Sequence, residues 1–487
     1  MSPLLLFTFV IGYFLLLLVV AYRTSRHSNN DSFFIGNRNS NWMLVALGMI
    51  GTSLSGITFV SVPGAVARDS FSYFQITLGY FLGYILIAYV LLPLYYRIHL
   101  TSIYNFLNNR LGVSSYKTGA AFFILSRVLG ATARLYLVVN ILQGAILSGF
   151  HVPFWLTTLI ILMMILLYTY EGGVKTIVWT DTLQTTCMLG GMVICIVFIL
   201  QHLNLDLSGA LQLMQTKGYS KIFFTDPNSK MFFGKQIIAG MFISLTMTGM
   251  DQEMMQKSIS VKTLKDSQKN MVVLGFIMLV VIFLFLLLGG LLYLFAASKN
   301  LTATGDHIFP DLALHHMPPF ISIIFIIALI SALFPSSDGA ITALTASFCI
   351  DILGINRNTN LDESDRVKIR HRVHLVFIGV FLIFVLIYKW ISSDSMIGII
   401  LKVATYTYGP LLGLFSFSIL SRRSLRNRWV PVVCILSPVL CFFLDKYQDY
   451  IFGNFKIGLE LLLINGIFTF LGLYLISGKP KSQGADS

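Results

Sequence analysis

Apolar runs of about twenty residues, the length an α-helix needs to cross the hydrocarbon of a bilayer, recur along this chain from Leu4–Ala21 almost to its end. Hydrocarbon holds no water to take up backbone N–H and C=O groups, so only helices or closed barrels cross it. Runs this long, without in–out alternation, exclude the barrel. About thirteen can be counted, which predicts an all-α integral membrane protein of about thirteen transmembrane helices. With 56% hydrophobic and only 11% charged residues among 487, a soluble domain is ruled out.

The net charge of +13 does not call for nucleic acid, because the basic residues gather in alternate loops. Arg23, Arg26 and Arg38 follow the first run. Then come Arg97, Arg110 and Lys117; Lys257, Lys262, Lys265 and Lys269; Arg366, Lys368, Arg370 and Arg372; Arg422, Arg423, Arg426 and Arg428; and finally Lys479 and Lys481. This pattern sets the N-terminus outside and the C-terminus in the cytoplasm of a multi-pass cell-membrane protein, and a bacterial inner membrane is expected. Outer connections are short except Gln201 to Lys235, where a small external helix is expected. No loop has room for a nucleotide-binding or kinase unit, so the energy for any transport has to come from a gradient. One transmembrane domain is expected over 1–487, with an extra helix and loop at 1–41, a core at 42–420 and C-terminal helices and tail at 421–487. Cys187, Cys195, Cys349, Cys434 and Cys441 have no metal or disulfide spacing and read as small packing residues.

Polar interruptions mark where such a chain works. Ser331–Asp351 carries Pro335, Ser336, Ser337, Asp338 and Gly339 inside an apolar run. A carboxylate costs roughly 2.5–3.5 kcal/mol at the centre of a membrane helix, so Asp338 calls for a partner. Pro335 removes a backbone donor, which is expected to let the Ala332 carbonyl and the Ser336 hydroxyl turn toward an ion. A plain proline kink with a satisfied serine cluster is the competing reading. GMIGTSLSGITFVSVPG in the second run and SLTMTGMDQ in the seventh are candidates to break in mid-membrane. Two such segments five spans apart suggest inverted repeats, spans two to six and seven to eleven. Small residues also serve close helix packing. Arg127 and Arg134 lie seven apart on the fourth run, the first expected to snorkel, the second deeper and suited either to a carboxylate or to a structural partner such as Asp181. Asp181, the second acid inside the membrane, joins Asp338 in offering hard oxygen ligands to an alkali cation, or the two acids share a proton. In the eleventh run Lys402 is expected to snorkel, and Tyr406 and Tyr408 either line a cavity or pack.

These residues resemble the sodium:solute symporters, which have a LeuT-type five-plus-five inverted repeat. GGVKTIVWTDTLQTTCML (Gly172 to Leu189) is the most specific match. YNFLNNRLG (Tyr104 to Gly112), DQEMMQKSISVKTLKDSQK (Asp251 to Lys269), GDHIFPDLALHHMPP (Gly305 to Pro319) and YTYGPLLGLF (Tyr406 to Phe415) support it in order. The resemblance implies alternating access and sodium-coupled uptake of a small organic solute, with no cofactor beyond sodium. The main sodium site would fall on the Gly51, Leu54 and Ala332 carbonyls and Ser336, with Pro335 standing where many members have a second hydroxyl and Ser337 as its replacement. A second site would pair Asp181 with the positions of Asp338 and Gly339. Substrate contacts would fall near Ser53, Thr58, Thr246, Thr248, Gln252, Arg127, Arg134 and Tyr406. Sialic-acid carriers in the family hold the carboxylate with an arginine, and sugar carriers use neutral groups instead. The expectation is a carboxylate-bearing solute such as sialic acid or a monocarboxylate; a sugar or polyol, or proton coupling, is the alternative. The chain is expected to work as a monomer in the lipid bilayer, and Asp181→Ala or Ser336→Ala to abolish sodium-dependent uptake. A sensor would need an output domain, which the short tail does not promise. A membrane enzyme would need more than His315 and His316 beside Asp311 in an outer loop.

Overall fold

The computed structural model describes residues 3–24, 41–97, 102–169, 173–355, 357, 360–391 and 395–478. Arg26 and Arg38, Glu171 and Gly172, and the tail with Lys479 and Lys481 lie outside them. Helices form where the apolar runs stand, and a few begin where a polar side chain takes the first free amides. Asn41 Oδ1 accepts from the Met43 amide (2.9 Å), Thr263 Oγ1 from Asp266 (3.1 Å), and Asp362 Oδ1 from Asp365 (2.7 Å).

In chain order the helices are α1 (Pro3–Thr24), α2 (Trp42–Ser53), α3 (Gly56–Gly64), α4 (Tyr73–Leu86, running on to Arg97), α5 (Val113–Leu142), α6 (Phe154–Thr169) and α7 (Gly173–His202). After the short helix Leu207–Thr216 come α8 (Phe233–Ser244), α9 (Gln252–Ile259), α10 (Leu264–Ser298), α11 (Pro319–Ser347) and α12 (Glu363–Tyr388). The series ends with α13 (Met396–Thr407), α14 (Gly409–Leu420), α15 (Val430–Lys446) and α16 (Leu461–Leu475). Among the described residues eight helices are long and apolar enough to span a membrane, or up to ten with the bent pairs α2–α3 (54°) and α13–α14 (43°) each taken as one span. Phe154–Leu167 and Leu461–Leu475 are shorter apolar helices, and the polar pair α8–α9 is not among these spans; a count of thirteen rests on adding these three.

Helices α7, α11, α2 and α10 pack on one another at the centre, with α5 against α11 and α1 laid on α7. Helices α4 and α8 touch backbone to backbone. A Cβ at Gly240 would meet the Ile76 peptide group, with the carbonyl carbon at 3.0 Å, and one at Gly79 would meet the Met241 nitrogen at 2.8 Å. Small residues of this kind let membrane helices approach closely. Gly240→Ala is expected to destabilise the purified protein by about 1–3 kcal/mol through overpacking, despite the better helix propensity of alanine. A thermal melt in detergent checks this, and an unchanged or raised midpoint contradicts it.

Candidate solute and cation sites

The breaks between α2 and α3 and between α8 and α9 face one cavity. Helix α2 closes with the Leu54 amide on the Ile50 carbonyl (2.8 Å), Leu54 and Ser55 then turn extended (ψ 91° and 172°), and α3 resumes with the Phe59 amide on the Ser55 carbonyl (3.1 Å). The last carbonyls of a helix have no intrahelical partner, so those of residues 51–54 are open to other donors or to a cation. Helix α8 runs into a π-turn, Leu245–Gly249, before Asp251 starts α9 by accepting from the Glu253 (2.9 Å) and Met254 (3.2 Å) amides. Buried tyrosines take two carbonyls set free here: Tyr95 Oη donates to Gly249 O (2.8 Å) and Tyr104 Oη to Met250 O (2.8 Å).

One cavity lies between the two breaks. Hydroxyls of Thr52, Ser53, Ser55, Thr58, Ser244, Thr248, Tyr73, Tyr80 and Tyr84 line it, with Met247, Met278, Ile400 and Leu401 as apolar wall and Arg127 and Arg134 from α5. The expected contacts Ser53, Thr58, Thr248, Arg127 and Arg134 therefore come together. Three do not: the Thr246 hydroxyl bonds back to the Phe242 carbonyl (2.9 Å), Gln252 Oε1 accepts from the Ile103 amide (3.0 Å), and Tyr406 Oη donates to Asp445 (2.8 Å). Tyr408, two residues on, turns inward and donates to Asp251 Oδ2 (3.3 Å).

The two arginines differ in their surroundings. Arg127, expected to snorkel, is instead buried; its Nη2 pairs with Glu253 and its Nη1 lies 3.8 Å from Asp251 Oδ2. Arg134 faces the cavity with no carboxylate within ion-pair distance among the described residues, and Asp181 is not its partner. Asp181 is held by Lys257, whose Nζ lies 2.7 Å from Asp181 Oδ2, 2.5 Å from Thr52 Oγ1 and 3.5 Å from Glu253 Oε1. Charge counting places Lys257 in a cytoplasmic loop; the structure buries it in α9, its side chain 2% exposed. Its spacing of four from Glu253 on one helix face is the signal that would have revealed it. Lys402 pairs with Asp445 (2.9 Å).

The expected cation ligands lie where α2 meets α11. A Cβ on Gly51 would collide with Thr185 Oγ1 and come within 3.5 Å of Pro335. Leu54, Ala332, Ser336, Ser337 and Asp338 are fully buried. The Ser336 hydroxyl donates to Leu333 O (2.9 Å), which leaves its lone pairs free to accept a cation. Ser337 Oγ has no hydrogen-bond partner among the described residues, a buried oxygen that suits a cation ligand. The carbonyl that Pro335 deprives of its helical donor is that of Ser331, four residues back, not Ala332. Asp338 Oδ1 accepts from the Gly339 amide (2.5 Å).

The sequence matches the Sodium:solute symporter family over residues 33–427. It is 23% identical over 452 residues to the sodium/sialic acid symporter of Proteus mirabilis, covering 89% of this chain and 87% of that one. To the sodium-coupled monocarboxylate transporter 1 of Mus musculus it is 27% identical over 419 residues, 82% of this chain and 66% of the other. The fold matches a Na+-coupled sialic acid symporter in its substrate-bound outward-open state with a TM-score of 0.82 at 19% identity, over 97% of this chain and 99% of that one. A family match over most of the length, on an all-α membrane fold with two broken helices around one cavity, leaves one conclusion: this chain belongs to the sodium:solute symporter family, secondary transporters rather than enzymes.

Proposed function

We propose that this chain couples sodium entry to uptake of a small carboxylate-bearing solute, with Arg134 as the group that holds the carboxylate. The observation that carries this reading is a guanidinium facing the cavity between the two broken helices, with no acid paired to it among the described residues. A planar guanidinium matches a carboxylate with two parallel hydrogen bonds, and the surrounding hydroxyls suit the rest of a polyhydroxylated acid. The resemblance to a sialic acid symporter and a monocarboxylate transporter agrees with an acidic cargo. The hydroxyl-rich lining, from Ser53 and Thr58 to Tyr73 and Tyr80, also favours a second reading, a neutral sugar or polyol.

Sodium at the Gly51, Leu54, Ala332, Ser336 and Ser337 oxygens ties α2 to α11, so its binding orders the wall on which the solute rests. By reciprocal linkage each ligand then tightens the other, and loss of sodium inside releases both. Alternating basic loops support a multi-pass orientation in a bacterial inner membrane with the N-terminus outside and the C-terminus in the cytoplasm. The chain is proposed to work as a monomer.

Thermal stabilisation of the purified protein over carboxylates, sugars and vitamins, with and without sodium, tests the reading. A ligand that binds only the folded state stabilises it, by about 2.7 kcal/mol at a hundred times its Kd, and so raises the midpoint. Stabilisation by an acid such as sialic acid, in sodium and not in potassium, is expected. Stabilisation by neutral sugars alone favours the second reading.

A further inference from the structure

Three oxygens close on the Lys257 ammonium: Asp181 Oδ2 from α7, Thr52 Oγ1 from α2 and Glu253 Oε1 from its own helix. An ammonium carries three N–H donors, and each is spent here. Two carboxylates and a hydroxyl are also the hard oxygen donors that an alkali cation prefers. The second sodium site implied by the family resemblance lies at this spot, on Asp181 and on hydroxyl residues whose positions are held here by Asp338 and Gly339. The space of a side chain at 339 is filled by the Glu253 carboxylate, since a Cβ on Gly339 would collide with Oε1 and lie 2.7 Å from Cδ. Asp181 Oδ1 has no partner among the described residues, so it is the atom a second cation would have to use. That cation would share one carboxylate with the ammonium, and like charges at contact distance in a medium of low dielectric repel strongly.

We propose that Lys257 is a built-in cation that fills the second ion pocket, so that each chain binds a single sodium, at the α2–α11 site. The proposal rests on the sodium-coupled reading above and deepens it by setting the ion count. Its mechanical consequence follows from where the oxygens come from. Glu253 and Lys257 sit on α9, the second half of one broken helix, while Thr52 sits at the end of α2, the first half of the other. The tethered charge joins both broken helices to α7 whether or not sodium is present. The sodium at α11 is left as the exchangeable one.

The test is binding of radioactive sodium to the purified full-length protein without solute. Wild type is expected to bind one sodium per chain, Ser336→Ala to lose it, and Lys257→Ala to bind two, the new one filling the pocket that the ammonium leaves. Two sodium ions on the wild type overturn the proposal, as does a single sodium on a folded Lys257→Ala. Should Lys257→Ala not fold, the wild type and Ser336→Ala decide together: one sodium, lost in the variant, supports the proposal, and a second sodium overturns it. No sodium on the wild type overturns the sodium-coupled reading itself, an outcome distinct from the other two.

Discussion

Arg134→Ala is expected to leave a folded protein that binds its solute about 30- to 1,000-fold more weakly, because truncating one partner of a buried charged pair costs about 2–4 kcal/mol and each 1.4 kcal/mol is a factor of ten. The protein itself should tolerate the change, since no acid within ion-pair distance among the described residues loses its partner. Arg134→Lys keeps the charge but not the planar fork, so an intermediate loss is expected. Solute titrations by calorimetry or thermal shift check both. Equal affinity in wild type and Arg134→Ala would remove the arginine from the site and leave the hydroxyl lining to bind a neutral solute.

Arg127→Ala should behave in the opposite way. Here the guanidinium is paired with Glu253, both side chains being 5% or less exposed, and Lys257 shares the same carboxylate. Removing one partner of a buried pair leaves the other charge uncompensated, at about 3–5 kcal/mol. Arg127→Ala should therefore unfold at a clearly lower temperature or fail to accumulate in the membrane. Arg127→Met combined with Glu253→Met should recover part of the loss, since replacing a buried pair by apolar groups is often neutral and Lys257, which gives up one of three partners, keeps Asp181 and Thr52. Melting temperatures of the three proteins decide. A stable Arg127→Ala, or a double variant no better than the single one, would show that the pair is not what holds α5 to α9.

The contrast between the two arginines marks what could be read from the sequence. Hydropathy gave the long spans because a bilayer imposes their length, and Gly, Ser and Thr clusters gave the breaks at α2–α3 and α8–α9, because such residues are wasteful in lipid unless backbone or ligand needs them; the bend at α13–α14 is seen only in the structure. Seven residues apart on one helix, Arg127 and Arg134 look alike in sequence. Only the fold shows that Glu253, delivered by a helix restarting after a break, neutralises the first. The same restart carried Lys257 inward from its apparent loop, since charge counting assumes an unbroken span. Tyr406 and Tyr408 are two residues, roughly 200°, apart around a helix, so which one faces inward depends on rotation that periodicity does not fix. Thr246 lies outside the cavity, between the lining residues Ser244 and Thr248, its hydroxyl bonded back to the preceding turn.

Sodium-driven accumulation in proteoliposomes tests the central claim most directly. The carboxylate that stabilises the protein, with sialic acid tried first, is supplied outside with an inward sodium gradient or with the same gradient of choline. Accumulation above the outside concentration with sodium, absent with choline and lost in Ser336→Ala, is the expected result. Equal accumulation with choline would contradict sodium coupling.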